Sequence, residues 1–189
     1  MSAIHDYIER NPDYSSCVST LEDSSRDNEG NTLTNATCEI LNFDDVAEIH
    51  MKKHSYKGKF PSVDAFFLTK SGVPYFIEFK YGKNIKSDDI NHKACSSVLL
   101  AFDLQLVNSL ELVKKRGIHI IVYNKNNQPG IEQKKIYGRI RGLSKRECRL
   151  QQARNLDWLF FDSLSYNQDE FEREFIQKIV KPEHQKASS

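Results

Sequence analysis

The sequence has little that marks a membrane, secreted or thiolate-metal protein. It has no run of about 20 apolar residues, the length that a helix needs to cross a bilayer. The polar segment Met1–Ser15 lacks the apolar stretch of a signal peptide. The four cysteines are far apart and form no C-x-x-C pair, so a zinc site built on thiolates is not expected. These absences predict a cytoplasmic or otherwise intracellular protein with free thiols and no membrane association.

An excess of charge of either sign is also lacking. The 27 Lys and Arg residues nearly balance the 26 Asp and Glu residues, and the formal net charge is +1. Overall attraction to nucleic acid is therefore not predicted, and an electropositive surface must come from how the charges are distributed. No ATPase P-loop motif is present, so any coupling to translocation would need a partner.

The composition predicts one folded domain with polar ends. Hydrophobic residues make up 39% of the 189 residues, which is enough for a sizeable core. Residues 1–38 are predicted to form a short helix and then a polar, partly mobile loop around SSRDNEGNT. Residues 39–182 are predicted to form a single α/β domain with a mixed central sheet flanked by helices, and residues 183–189 a polar tail.

Hydrophobic periodicity predicts the order of elements within that domain. Helices are predicted from the cap Asn42 to Lys53, from the cap Ser87 through Val113 to Gly117, and after Asn167. Strands are predicted on both sides of a turn at 70–72, over 118–124 and over 156–164. The side chains of Trp158, Phe160 and Phe161 are predicted to lie in the core. The basic segment 134–154 fits either a helix or a further strand.

The two strands around the 70–72 turn carry acidic residues in related positions. If Lys70, Ser71 and Gly72 form a three-residue loop, with Gly72 left-handed, residue 69 pairs with residue 73. Continuing this register places Asp64 directly opposite Glu78, with side-chain carbons roughly 5 Å apart. A two-residue turn would instead place Phe79 opposite Asp64, so the expectation depends on the type of turn.

Two carboxylates this close repel each other unless a proton or a cation intervenes. Asp64 and Glu78 offer only oxygen ligands, which favour a hard ion, Mg²⁺ or Mn²⁺. The carbonyl of Phe79 is a candidate for a further ligand. Lys80 projects from the same strand face as Glu78, where it would steady negative charge on a phosphate or help to position a hydroxide. The group is therefore suited to hydrolysis of a phosphodiester.

This arrangement resembles a known nuclease signature. The sequence Pro61-Ser62-Val63-Asp64, thirteen intervening residues and then Glu78-Phe79-Lys80 is similar to the motif of the PD-(D/E)XK nuclease superfamily. Here the proline precedes the aspartate by three residues. The resemblance covers roughly residues 42–124, including the helices before and after the hairpin. It implies a restriction-endonuclease-like fold and metal-dependent cleavage of nucleic acid, with DNA favoured over RNA.

The resemblance also implies roles for individual residues. Asp64 and Glu78 would bind the metal, and Lys80 would complete the catalytic site. Many members of the superfamily add an acidic residue from the preceding helix. Glu48 is the first candidate for that catalytic and metal-binding position, and Asp45 is the second.

Further residues are candidates for contacts with nucleic acid. The resemblance suggests Gln105, because some members carry a glutamine in the helix that follows the hairpin. Lys83, Lys86 and Lys93 follow the motif closely and would meet backbone phosphates, although a solvated start of a helix explains them equally well. Lone histidines such as His50, His54 and His92 are expected to be surface residues rather than ligands.

Three functions follow from these observations. The leading hypothesis is a Mg²⁺- or Mn²⁺-dependent nuclease. The alternative is a catalytically inactive nuclease-like fold that acts as a nucleic-acid-binding or assembly module. A protein–protein interaction domain without a nucleic-acid partner is the third, and the sequence predicts no particular oligomeric state.

Overall fold

The computed structural model describes residues 3–142 and 149–185. The strands are β1 (Val18–Thr20), β2 (Glu39–Asn42), β3 (Ala65–Leu68), β4 (Pro74–Lys80), β5 (Ile118–Tyr123) and β6 (Asp162–Asn167). The α-helices are α1 (Ala3–Arg10), α2 (Leu21–Ser24), α3 (Phe43–Lys53), α4 (Ser87–Asp103), α5 (Leu110–Arg116), α6 (Pro129–Ile140), α7 (Gln151–Arg154), α8 (Gln168–Phe171) and α9 (Lys181–Gln185). Short 3₁₀ helices span Pro12–Cys17 and Lys125–Asn127, and a π-helix at Glu172–Val180 joins α8 to α9.

The six strands form one mixed, open sheet in the order β1-β2-β3-β4-β5-β6. Strands β1 to β4 are antiparallel neighbours, whereas β4, β5 and β6 are parallel. The longer connections from β4 to β5 and from β5 to β6 contain helices, as parallel neighbours require. The predicted α/β class, with a mixed central sheet flanked by helices, is therefore confirmed.

Packing on the two faces of the sheet determines which side chains of β4 meet which helices. Because side chains alternate along a strand, Tyr75 and Phe79 share one face, where they contact Phe175 and Phe171 of the C-terminal helices. Phe76 lies on the other face and packs against Phe43 of α3. Glu78 and Lys80 share that second face with Phe76. They therefore point away from the C-terminal helices.

The N-terminal region contributes more packed structure than its composition predicted. Strand β1 forms an edge of the sheet, and Tyr7, Cys17 and Leu21 are buried. The polar loop that follows is held by Tyr81, whose hydroxyl donates to the backbone carbonyls of Ser25 and Asn31. Polar residues here bond one another and the backbone, so a polar composition does not prevent packing.

The prediction of one long helix from Ser87 to Gly117 is wrong. Helix α4 ends at Asp103, and Gln105 then adopts a left-handed conformation with φ of 58°. The N–H groups of Leu106 and Val107 both donate to the carbonyl of Ala101, which terminates the helix. Helix α5 starts anew at the cap Ser109, whose side chain accepts from Leu112 N–H.

The predicted strand over 156–164 is displaced. Residues 156–161 form a turn-rich connection in which Phe160 N–H donates to the carbonyl of Leu156, and β6 begins only at Asp162. Phe160 is in the core as predicted, but Trp158 is 63% exposed and Phe161 58% exposed. A short apolar run alone does not distinguish a strand from a packed turn.

The remaining predictions concern the basic segment and the C-terminus. The first part of the basic segment is helix α6, and residues 143–148 lie outside the described ranges. Part of the predicted polar tail is helical, because α9 continues to Gln185 and Glu183 accepts a hydrogen bond from Lys70 N–H. Residues 186–189 are likewise outside those ranges. Within the described parts of the chain, no helix has the length and apolar character needed to cross a membrane.

Candidate active site

The hairpin has the predicted register. Gly72 N–H donates to the carbonyl of Thr69, and Gly72 has φ of +74°, so residues 70–72 form the expected three-residue loop. Leu68 pairs with Pro74, and the ladder continues to the pair of Ala65 with Ile77. Asp64 precedes this last pair and Glu78 follows it. The two acidic residues therefore lie opposite each other, where β3 begins and β4 approaches its end.

Backbone contacts hold Asp64 in place. Its carbonyl accepts a hydrogen bond of 3.1 Å from Phe43 N–H, which ties it to the start of α3. Its carboxylate Oδ2 accepts a 2.6 Å hydrogen bond from Phe79 N–H. A strand residue directs its N–H and C=O toward the same neighbour, so the Phe79 carbonyl also lies on the Asp64 side of β4. The predicted carbonyl ligand is thus oriented toward the acidic pair.

Lys93 of α4 lies between the two carboxylates. Its Nζ is 3.3 Å from Asp64 Oδ1 and 2.8 Å from Glu78 Oε1. Helix α4 is fixed here because Ser97, one turn after Lys93, accepts a 2.8 Å hydrogen bond from Val63 N–H. Asp64 and Glu78 are therefore close enough to share a single cation.

Lys80 makes a second set of contacts at the same carboxylate. Its Nζ is 2.8 Å from Glu78 Oε1 and 2.9 Å from Asp89 Oδ2. Its side chain retains 21% exposure, so it borders solvent. Glu78 thus contacts two ammonium groups through one oxygen, and Lys80 is also held by Asp89 on α4.

The second oxygen of Glu78 is buried and has no hydrogen-bond partner among the described residues. The Glu78 side chain is only 1% exposed. Burial raises the pKa of Glu78 above its usual range, and the nearby charge of Asp64 raises it further, while Lys93 and Lys80 oppose both effects. Burial likewise raises the pKa of Asp64 against the opposing effect of Lys93. A cation of higher charge would stabilise both carboxylates more strongly.

The residues present fit a hard divalent ion. Asp64 and Glu78 provide carboxylate oxygens, and Glu78 Oε2 lacks a partner among the parts of the chain described. Because Phe79 N–H contacts Asp64, strand geometry puts the Phe79 carbonyl on the same side of β4. Oxygen ligands of this kind suit Mg²⁺ and Mn²⁺. Lys93 already occupies the space between the carboxylates, so an ion binding to both of them must displace its ammonium group.

The acidic residue of α3 nearest to this group is Asp44 rather than Glu48. Asp44 accepts a hydrogen bond from the hydroxyl of Ser62, and its charge raises the pKa of the Asp64 carboxyl. Glu48 is exposed and pairs with Lys52, one turn along the helix. Asp45 lines a surface pocket together with Asp44 and Glu48, and neither Asp45 nor Glu48 is among the charges that shift the pKa of Asp64 or Glu78. The structure therefore does not bring Glu48 or Asp45 to the hairpin carboxylates.

The residues predicted to contact nucleic acid do not lie together in the structure. Lys83 and Lys86 are exposed in the connection that leads from β4 to α4, close to the acidic pair along the chain. Gln105 is exposed in the turn beyond the far end of α4 and is not part of this group. Of the four predicted nucleic-acid contacts, only Lys93 touches the carboxylates.

No family model, curated protein or solved structure matches this chain. The resemblance to the PD-(D/E)XK signature rests on the residues and register described above.

Two residues of the candidate active site, Asp44 and Asp89, were not predicted from the sequence. Asp44 follows the cap Asn42 by two residues, at the start of the helix whose first N–H contacts Asp64. Asp89 lies four residues before Lys93, so the two share one face of α4. This i,i+4 pair, directly after the motif, is the signal that would have indicated that the start of α4 faces the site.

Proposed function

We propose that this protein is a metal-dependent nuclease that hydrolyses nucleic-acid phosphodiester bonds, with a restriction-endonuclease-like fold. The main support for the proposal is that the carboxylates of Asp64 and Glu78 both contact one cation. The Nζ of Lys93 lies 3.3 Å from Asp64 Oδ1 and 2.8 Å from Glu78 Oε1. Buried carboxylates are costly, and a pair of them with an adjacent lysine on the same strand is characteristic of a functional site. DNA is the favoured substrate through the family resemblance.

In this proposal Asp64 and Glu78 hold Mg²⁺ or Mn²⁺, with the Phe79 carbonyl as a further ligand. The bound ion would polarise a phosphoryl oxygen and acidify a water molecule. Hydrolysis joins the water oxygen to phosphorus and breaks the bond to the leaving oxygen, which takes up a proton. Lys80 is placed to steady the negative charge that develops on the phosphate.

The outer residues of the site have supporting roles. Asp44 adds negative charge near Asp64 and takes the position for which Glu48 was the candidate. Lys83 and Lys86 are exposed beside the site and would contact phosphates on either side of the scissile bond. Lys93 would move from between the carboxylates toward the phosphate when the metal binds.

A specific observation supports the alternative, a catalytically inactive nuclease-like fold. Lys93 already neutralises Asp64 and Glu78, and the pKa of its ammonium group is raised by both carboxylates. A lysine held in this way stabilises the fold without any metal. In that case the exposed lysines near the hairpin would bind nucleic acid, or the domain would serve in an assembly, without cleavage.

Cleavage assays distinguish these possibilities. Purified protein with Mn²⁺ is incubated with single-stranded, duplex and branched DNA and with RNA, beside Glu78→Gln, Lys80→Met and the control Lys114→Met, which changes an exposed lysine of α5. We expect cleavage of at least one substrate. We expect Lys80→Met to reduce it about 100-fold or more and Lys114→Met to leave it unchanged.

The other outcomes are equally informative. Salt-sensitive binding without cleavage would support the inactive module. Cleavage that survives Glu78→Gln and Lys80→Met, with both variants folded by circular dichroism, would contradict the proposed site.

A further inference from the structure

A cluster of metal-binding side chains lies away from the hairpin, where the ends of α3 and α4 meet. His50 in the last turn of α3 and His54 just after it are four residues apart, so both project from one side of the helix. Asp103 is the last residue of α4. His50 Nε2 lies 3.2 Å from Asp103 Oδ2, and the potential ligand atoms of the three residues all lie within 4.8 Å of one another.

A buried hydroxyl orients the first of these ligands. The Tyr14 hydroxyl is 3.4 Å from His50 Nδ1, and both side chains are largely buried. With the proton on Nδ1 and donated to the Tyr14 oxygen, His50 Nε2 keeps its lone pair directed toward Asp103. Ligand histidines are commonly oriented by a hydrogen bond on the opposite ring nitrogen.

We propose that His50, His54 and Asp103 bind a transition-metal ion of the Zn²⁺ type. Two imidazole nitrogens and one carboxylate oxygen suit Zn²⁺, whereas Mg²⁺ prefers oxygen ligands alone. His54 and Asp103 are exposed, so their side chains are able to rotate onto an ion held by the less mobile His50. Solvent would supply the fourth ligand. The site differs in chemistry from the carboxylate pair of the hairpin.

The position of the cluster indicates a structural role. Helix α3 carries Asp44 at its start, and α4 carries Lys93 near its start, both beside the candidate active site. The cluster joins the opposite ends of these two helices. Through Tyr14 it also reaches the N-terminal 3₁₀ helix. A bound ion would tie the three segments together and fix the spacing of the two helices that border the hairpin.

Metal titrations test this inference. Untagged protein is stripped with EDTA and titrated with Co²⁺, whose visible absorption is strong in a four-coordinate site and weak in an octahedral oxygen site, and Zn²⁺ is then added as a competitor. We expect the strong absorption to saturate at one Co²⁺ per chain and to be lost when Zn²⁺ displaces the ion, and we expect a rise in melting temperature with Zn²⁺. His54→Ala and Asp103→Asn should abolish both effects. Tyr14→Phe should weaken binding about tenfold because it removes only the orienting bond.

Two control variants separate this site from other possibilities. His92→Ala removes an exposed histidine of α4 that is outside the cluster, and Glu78→Gln alters the hairpin carboxylates. Both should leave the strong Co²⁺ absorption and its displacement by Zn²⁺ unchanged, whatever the outcome of the cleavage assays. The proposal is overturned if the unaltered protein gives no Co²⁺ absorption. It is also overturned if His54→Ala and Asp103→Asn bind as well as the unaltered protein, or if Glu78→Gln removes the binding.

Discussion

Replacing Lys93 with methionine tests how the buried carboxylates are stabilised. The change removes the ammonium group that lies within 3.3 Å of Asp64 and 2.8 Å of Glu78, while methionine keeps a similar helix propensity. Glu78 would retain Lys80 as a partner, but Asp64 would lose the ammonium group that contacts it. Removing one member of a buried ion pair costs about 3–5 kcal/mol. Lys93 keeps 20% exposure, so we expect a loss of about 3 kcal/mol in the free energy of unfolding when both carboxylates are ionised.

The loss should depend on pH in a defined direction. Burial and mutual repulsion raise the pKa values of Asp64 and Glu78 above those of the unfolded chain. The folded state then holds protons that the unfolded state has released, so stability falls as pH rises between the unfolded and folded pKa values. Lys93 offsets this fall in the unaltered protein. The pKa of Glu78 is raised to about 8 with Lys93 in place and would rise further without it. The destabilisation by Lys93→Met should therefore be small at about pH 5 and should develop above about pH 8, so that it is larger at about pH 9.

A divalent ion should rescue the variant. In EDTA the two carboxylates lack their shared cation, whereas Mn²⁺ at about 100 times its Kd would restore about 2.7 kcal/mol. Urea unfolding at both pH values, with EDTA and with Mn²⁺, measures the effect. Lys86→Met, an exposed lysine next to the same helix, is the control and should change stability by less than about 0.5 kcal/mol. Equal loss at both pH values, or no response to Mn²⁺, would refute the reasoning.

Two further predictions concern neighbouring residues. Asp44→Asn should weaken Mn²⁺ binding about tenfold because it removes a negative charge beside Asp64. Glu48→Gln should have little effect on Mn²⁺ binding, since Glu48 is exposed and pairs with Lys52. Calorimetric titration of both variants measures the two effects, and a larger effect of Glu48→Gln would contradict this prediction. Gly72→Ala should cost about 1 kcal/mol because Gly72 has φ of +74°, and Gly82→Ala, at a glycine with ordinary φ and open space around its Cα, should cost less than half as much in thermal unfolding. Equal costs would show that the left-handed turn does not determine the stability of the hairpin.

The hairpin was predictable because its register depends on local features. The loop at 70–72 and the alternation of side chains determine which residues face each other, and both are visible in the sequence. Two predicted helix starts are confirmed for the same reason: Asn42 accepts from N–H groups of the first turn of α3, and Asn167 forms a capping box with Glu170. The predicted cap Ser87 is wrong, because Ser87 is the first residue of α4 and Lys86 occupies the cap position without a side-chain hydrogen bond. Strand β5 was predictable from its continuous β-branched run.

Features that depend on packing between distant segments were not predictable. The end of α4 was missed because Leu106 and Val113 continue the helical period while the backbone turns at Gln105. Lys93 was predicted to contact phosphate, and its position between Asp64 and Glu78 depends on how α4 docks against the hairpin. Trp158 is exposed although its neighbours are apolar. The local sequence pattern predicts where helices and strands form. The packing of the helices on the sheet determines which charged side chains come into contact, and the local pattern does not predict it.

The proposed nuclease activity requires that the carboxylates of Asp64 and Glu78 bind a divalent cation, and calorimetric titration with Mg²⁺ measures this binding directly. We expect saturable binding that is lost in Asp64→Asn and Glu78→Gln and kept in His54→Ala. Because the pKa of Glu78 is raised, binding should release protons and tighten as pH increases. Binding of Mg²⁺ that is unchanged in Asp64→Asn and Glu78→Gln, or no binding at any pH at which the protein is folded, would contradict the account.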